Sequence, residues 1–517
     1  MKRICEKQMR DRQVLVSGLL VFPQGYTFGA LTCLCVSLGF MIFSESCVHW
    51  FIVPVTLCGI CLVKDVQDWI TGKSDVFNLV GIIGLLGFYF FYLAPVLHVS
   101  WDSWMTLIIP PPDWRPWLGY MAILNLIGLV TYKVMSGKQH YTRQIPPKAY
   151  WVLNENRFRI VCALALLITV TLQVYVYQSF GGIMGYIYAY EDKSGVFHGM
   201  GWIFMISESF PILAFMAYAV SAKKNENFRK WSLLIFVVFL FLGLSMLFGG
   251  MRGSRSNTVW TLFWVAGIVH FWIRPLNRKL IIAGLISLIV FMYCYGLYKS
   301  HGLTAFSVMK NPLQAFELAE EGGRTLDATL LGDLGRSDVQ AYLLYCISDS
   351  RNEYRYRWGQ TYLSSLMLLI PKRWRPDIPG KSEAGTDAQY GYYSENWLSS
   401  RVYGLAGEAM LNWGIVSIPF VFALFGIIMG RIGRFIVNIL QDDVRILFVP
   451  FIIILSVVAL TSDSDNLLFN CIKNGSLPAL VMLLSSQKIP VLSKNHDDEY
   501  RQNWVLHPHH KEGRGGK

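Results

Sequence analysis

Apolar runs of about 17 to 25 residues, the length that crosses a bilayer as a helix, recur along this chain with short polar connections between them. They predict spans near 24–43, 47–63, 77–96, 115–132, 158–177, 201–220, 232–249, 257–273, 280–298, 409–430, 446–461 and 472–487, about twelve in all. The pattern stops once, over a hydrophilic stretch at 299–408. The expected architecture is an all-α polytopic membrane protein with four parts. An N-terminal bundle of about nine helices (1–298) is followed by a large loop with short helices (299–408). About three further spans (409–487) then lead to a polar, disordered tail (488–517).

Charge placement orients this series. Alternate connections carry Lys64 and Lys73, then Lys133, Lys138, Arg143 and Lys148, then Lys223, Lys224, Arg229 and Lys230, then Arg274, Arg278 and Lys279, and finally Arg431, Arg434 and Arg445. The opposite short loops, such as His98 to Trp114, are poor in Lys and Arg. Basic loops stay in the cytoplasm, so both termini are expected there and the 299–408 loop outside. Trp101, Trp104, Trp114, Trp117 and Trp202 lie near span ends, where indoles favour the membrane interface.

Composition agrees: 517 residues are 53% hydrophobic and only 15% charged. The net charge of +12 suits nucleic acid in principle, but it sits in topology-setting loops, which argues against that partner. The ten cysteines lie mostly in apolar runs and imply no disulfide framework. The Cys58/Cys61 pair has no histidine or second pair nearby for zinc. The basic start, MKRICEKQMRDR, lacks a small-residue cleavage site and reads as a retained cytoplasmic terminus.

Candidate chemistry lies where basic residues break the topology rule. Arg252 and Arg255, in the tight turn GGMRGSRSN, suit either a diphosphate cradle or lipid headgroup contact, since guanidinium binds phosphate oxygens in pairs. The large loop adds Arg324, Arg351, Arg355, Arg357, Lys372, Arg373 and Arg401. Arg351 and Arg355 stand at helical spacing and are expected on one face, toward a lipid diphosphate or in a salt-bridged surface helix. QTYLSSLMLLIP, from Gln360 to Pro371, is apolar but too short to span, as in a re-entrant or interfacial helix. Asp338, Glu395 and Glu408 are the candidate acids and bases; Glu408, at the mouth of a span, reads equally as a desolvated general base or a helix-capping carboxylate. No metal-ligand spacing appears in the loop, so no metal is expected.

These features, in order, resemble the bacterial oligosaccharide repeat-unit polymerases, the Wzy-type O-antigen polymerases. The resemblance rests on Gly359, Thr361 and Tyr362, on Ile370, Pro371, Lys372, Arg373, Trp374 and Pro376, and on Gly404, Gly407, Glu408, Leu411, Asn412 and Gly414. It implies an inner-membrane glycosyltransferase of GT-C-related architecture that works at the periplasmic face without cofactor. A growing glycan on undecaprenyl diphosphate would be the donor and a lipid-linked repeat unit the acceptor. The loop arginines would steady the diphosphate leaving group, and a chain-length regulator and a repeat-unit flippase would be partners.

Two rival readings remain. An O-antigen ligase shares the architecture but is expected to use a loop histidine, and here the loop has only His301. A flippase needs ionisable residues inside the bundle, where Glu208, Arg115 and His270 are the main ones at or within spans.

Overall fold

The computed structural model describes residues 24–490 apart from 105–109, 138–148, 192–199, 253–254, 302–313, 315–316, 318–319, 321–324, 326, 349–353, 371–373, 377 and 391–400. Side chains 24–25, 190–191, 252, 255–257, 299–301 and 390 are likewise outside the description.

Ten described helices are long and apolar enough to cross a membrane: Tyr26–Phe43, Leu79–Ser100, Arg115–Ser136, Glu155–Ser179, Gly201–Lys224, Trp231–Phe248, Arg278–Tyr298, Ser417–Asn438, Val444–Thr461 and Ser464–Ser485. The protein is a multi-pass, all-α membrane protein. The two other predicted spans are also helical. Ile52–Ile70 carries Lys64, Asp65 and Asp68 in its second half, and Thr258–Ile273 is shorter than the rest. Length and apolarity therefore give ten spans where about twelve are expected. The predicted span at 409–430 is two helices, because Gly414, at φ 74°, ends Gly404–Trp413 before Ser417–Asn438 begins.

Small residues set how closely these helices approach. A Cβ on Gly128 would lie 2.7 Å from the Phe422 ring, and one on Gly426 would lie 2.8 Å from the Tyr132 carbonyl. Phe422 is fully buried in that seam, while Phe420, on the other face, is 70% exposed as a lipid-facing position. The Gly201–Lys224 span breaks at Glu208 and Ser209, because Pro211 has no N–H and its ring crowds the carbonyl of Ser207. The buried Glu208 at that break pairs with the buried Lys473, 2.5 Å away on Ser464–Ser485.

Much of the large loop is sunk into the bundle. The π-helix Ala328–Gly335 and the helix Ser337–Ser348 bury Leu331, Val339, Ala341, Leu343 and Leu344. Tyr89 Oη donates to the Leu330 carbonyl at 2.6 Å, and Asn125 Nδ2 donates to Gln340 Oε1 at 3.5 Å. This changes the reading of three tryptophans. Trp104 packs on Trp114 and Tyr342, and Trp117 packs on Tyr345, so they seat the loop helix; Trp101 and Trp202 stay exposed.

At the opposite end, the strand Ala149–Leu153 pairs antiparallel with Ser486–Pro490. Residues 488–490, expected in the tail, are thus strand, and the rest of the tail lies outside the described residues. Ion pairs gather at this end: Lys223 with Asp442, Lys224 with Glu155 and Arg445 with Asp443.

Candidate active site

Two short connections make the site. Ser462 and Asp463 join Val444–Thr461 to Ser464–Ser485, and residues 401–403 lead into Gly404–Trp413. Each helix start is capped by the other's carboxylate. Asp463 Oδ1 accepts from the Tyr403 and Gly404 amides, both at 2.9 Å. In return, Glu408, one turn into its helix, accepts the Ser464 amide on Oε2 at 2.6 Å. Both carboxylates therefore sit where exposed N–H groups and the helix dipole favour negative charge.

Gly404 makes this exchange possible. Its φ of 71° lies in the left-handed region, and a Cβ there would stand 3.1 Å from Gln340 Nε2, which donates to the Tyr403 carbonyl at 2.7 Å.

Side chains complete the cradle around Glu408. Its Oε1 accepts from Thr361 Oγ1 at 2.9 Å and Ser464 Oγ at 2.6 Å. Thr361 in turn accepts from Asn412 Nδ2 at 2.7 Å, and Asn412 Oδ1 takes the Gly359 amide at 2.9 Å. Tyr362 stacks on Trp413, ring centroids 5.5 Å apart. Glu408 is only 2% exposed. Burial pushes its pKa up to about 7, nearby Asp463 pushes the same way, and the three donors only partly offset them. Asp463 is also pushed up by burial, against the pull of Lys381, whose Nζ lies 2.6 Å from its Oδ2. The result is a carboxyl poised between its charged and neutral forms near neutral pH, as proton transfer requires.

Asp338 occupies a second buried spot. His98 Nε2 is 3.7 Å from its Oδ1, and His98 Nδ1 lies 2.8 Å from the Ser103 carbonyl. Burial raises the Asp338 pKa, while His98, the Val339 amide and Arg401 oppose that rise. Arg336, in the left-handed conformation at φ 57°, has its pKa lowered by burial, against the pull of Asp463, Asp333 and Asp338.

The predicted cations fare unevenly. Residues 354–357 are not helical, so Arg355 does not sit on a helical face. The end of this irregular segment pairs with the end of Gly404–Trp413: Arg357 N donates to Leu411 O at 3.2 Å and Trp358 N to Asn412 O at 3.0 Å. Arg355 is exposed, and Arg357 pairs with Asp387 at 2.6 Å. Arg401 is half-buried beside Asp338. Arg324, Arg351, Lys372, Arg373 and Glu395, and the side chains of Arg252, Arg255 and His301, lie outside the described residues.

Gln360–Met367 is a helix of 8 residues whose inner face carries Thr361 and Ser365, while Leu363 and Leu366 are exposed. Sequence reasoning missed Asp463, Ser464 and His98. Asp463 and Ser464 follow directly on an apolar run, the one available signal, since Asp before Ser is a common helix start. No described group of His, Cys, Asp and Glu is arranged to hold a metal ion. No family model, curated protein or solved structure matches the chain.

Proposed function

We propose that this protein polymerises undecaprenyl-diphosphate-linked oligosaccharide repeat units at the periplasmic face of a bacterial inner membrane, with Glu408 as general base. One observation carries the reading: Gly359, Thr361, Glu408 and Asn412, from separate parts of the resemblance, join in a single hydrogen-bonded knot whose centre is a carboxyl with a pKa near 7. A structural motif alone does not require a half-ionised carboxylate.

In the proposed step, Glu408 takes the proton of an acceptor sugar hydroxyl. The oxygen attacks the anomeric carbon of the donor glycan, the bond from that carbon to the diphosphate oxygen breaks, and undecaprenyl diphosphate leaves as an anion. Arg401 and the loop arginines supply positive charge for that leaving group. No cofactor enters, since the lipid diphosphate is already activated.

A ligase is the second reading, and His98 favours it: a buried histidine beside Asp338 arrives from a span end, so the large loop is not the only source of a site histidine. Glycans from cells lacking the protein separate the two. Polymerase loss leaves single repeat units, whereas ligase loss leaves long polymer on its lipid carrier.

A further inference from the structure

A carboxyl that changes protonation state inside a packed protein needs donors when it is ionised and an acceptor when it is neutral. Most contacts of Glu408 serve only the first state. The Ser464 amide on Oε2 can only donate. Thr361 Oγ1, on Oε1, already accepts from Asn412 Nδ2, and among the described residues its own proton has no acceptor besides Glu408. Ser464 Oγ, 2.6 Å from Oε1, is different. Among the described residues it alone touches Glu408 and is able to turn its proton elsewhere, because Ser365 Oγ stands 2.8 Å away and either hydroxyl of that pair can donate.

Ser365 closes the chain. Its hydroxyl reaches the Thr361 carbonyl, one turn back in Gln360–Met367, at 2.9 Å. In an α-helix that carbonyl also takes the amide of the residue four on, so the extra bond is optional. Two complete arrangements follow. With Glu408 ionised, Ser365 donates to Ser464, and Ser464 donates to Oε1. With Glu408 neutral, its proton goes to Ser464, Ser464 donates to Ser365, and Ser365 donates to the Thr361 carbonyl. The heavy atoms stay in place, and only the hydroxyl protons rotate.

We propose that Ser464 and Ser365 are positioning residues, a reversible hydroxyl chain that accommodates both protonation states of Glu408. The inference rests on the proposed base role only for the use made of the proton. Without Ser365, a neutral Glu408 leaves one O–H of the knot without an acceptor, whichever carboxyl oxygen carries the proton, whereas the ionised form keeps its three donors. The chain thus favours the neutral form, and removing its far end moves the titration down. Charged groups nearby act alike on the native chain and on a Ser365 variant. Asp463 pairs with Lys381, Asp465 lies 3.4 Å from the same Nζ, and the Tyr362 phenol feels Glu408 itself. On the other elements packed against the Glu408 helix, Asp338 stands with Arg336, and Asp387 with Arg357. Among the described residues none of these bonds to Ser365.

Difference infrared spectroscopy of the full-length protein in lipid reads the protonated carboxyl band as pH is raised, with Glu408→Gln to assign it. The native band is expected to fall away around pH 7. Ser365→Ala should lower that midpoint by about one pH unit, the effect of one unbonded hydroxyl. Ser365→Thr, which keeps the hydroxyl, should leave it in place. An unchanged midpoint in Ser365→Ala overturns the chain whatever the variant does to thermal stability, since a packing role alone does not move the titration. Absence of a Glu408 band that titrates near pH 7 in the native protein overturns it as well. Polymer synthesis in the same membranes, read against pH, separates this inference from the base role. An activity profile that shifts with the band supports both. A shifted band with an unmoved profile keeps the hydroxyl chain and removes Glu408 as the base.

Discussion

At the residue scale, Glu408 decides the account. Its pKa near 7 sits above the ordinary 4.5 because burial disfavours the charged form, which fixes two signs. As a base it works ionised, so polymer formation in isolated membranes should rise with pH through about 7. For stability the direction reverses. The folded protein holds this proton more tightly than the unfolded chain, so the contribution is full below pH 4.5 and is lost as pH climbs to about 7. Glu408→Gln should therefore cut activity about a hundredfold or more, the range for a general base, while leaving thermal stability at pH 8 unchanged or higher. A purely structural Glu408 would give the opposite pair: lower stability and activity tracking it. Gly404→Ala tests the backbone beneath. The left-handed φ should cost about 1–2 kcal/mol, read as a lower unfolding temperature in detergent.

At the element scale, the reciprocal capping of Gly404–Trp413 and Ser464–Ser485 holds the site. Lys381→Met would strand Asp463, which is 1% exposed, and should destabilise by about 3–5 kcal/mol; Lys381→Met with Asp463→Asn should recover most of it. If thermal unfolding shows the double variant no better than the single, the pair is not what secures the two helices. Sequence legibility divides at this scale. Spans were legible because hydropathy is a local property, and Glu408 stood out as a carboxylate where an apolar run begins. The Asp463 exchange was not, since its partners are 59 and 56 residues apart in sequence and only folding brings them together. The expected helix through Arg355 failed for a related reason. Its spacing suits a helix, but its amides are satisfied by the Leu411 and Asn412 carbonyls.

At the scale of the whole molecule, the described helices of the large loop pack into the bundle. Helix Ser337–Ser348 lies among spans and the Trp104–Trp114 pair backs it, a depth that charge counting does not give. Orientation is testable directly. Reporter fusions after residue 225 and after residue 358 should report opposite sides of the membrane, the first cytoplasmic; the same side for both would undo the topology on which the mechanism depends. The most direct test of the central claim is a glycan gel from cells deleted for this protein and restored with either the native chain or Glu408→Gln at matched membrane levels. The account predicts a full ladder with the native chain and a stop at one repeat unit with Glu408→Gln. A full ladder with both would contradict it.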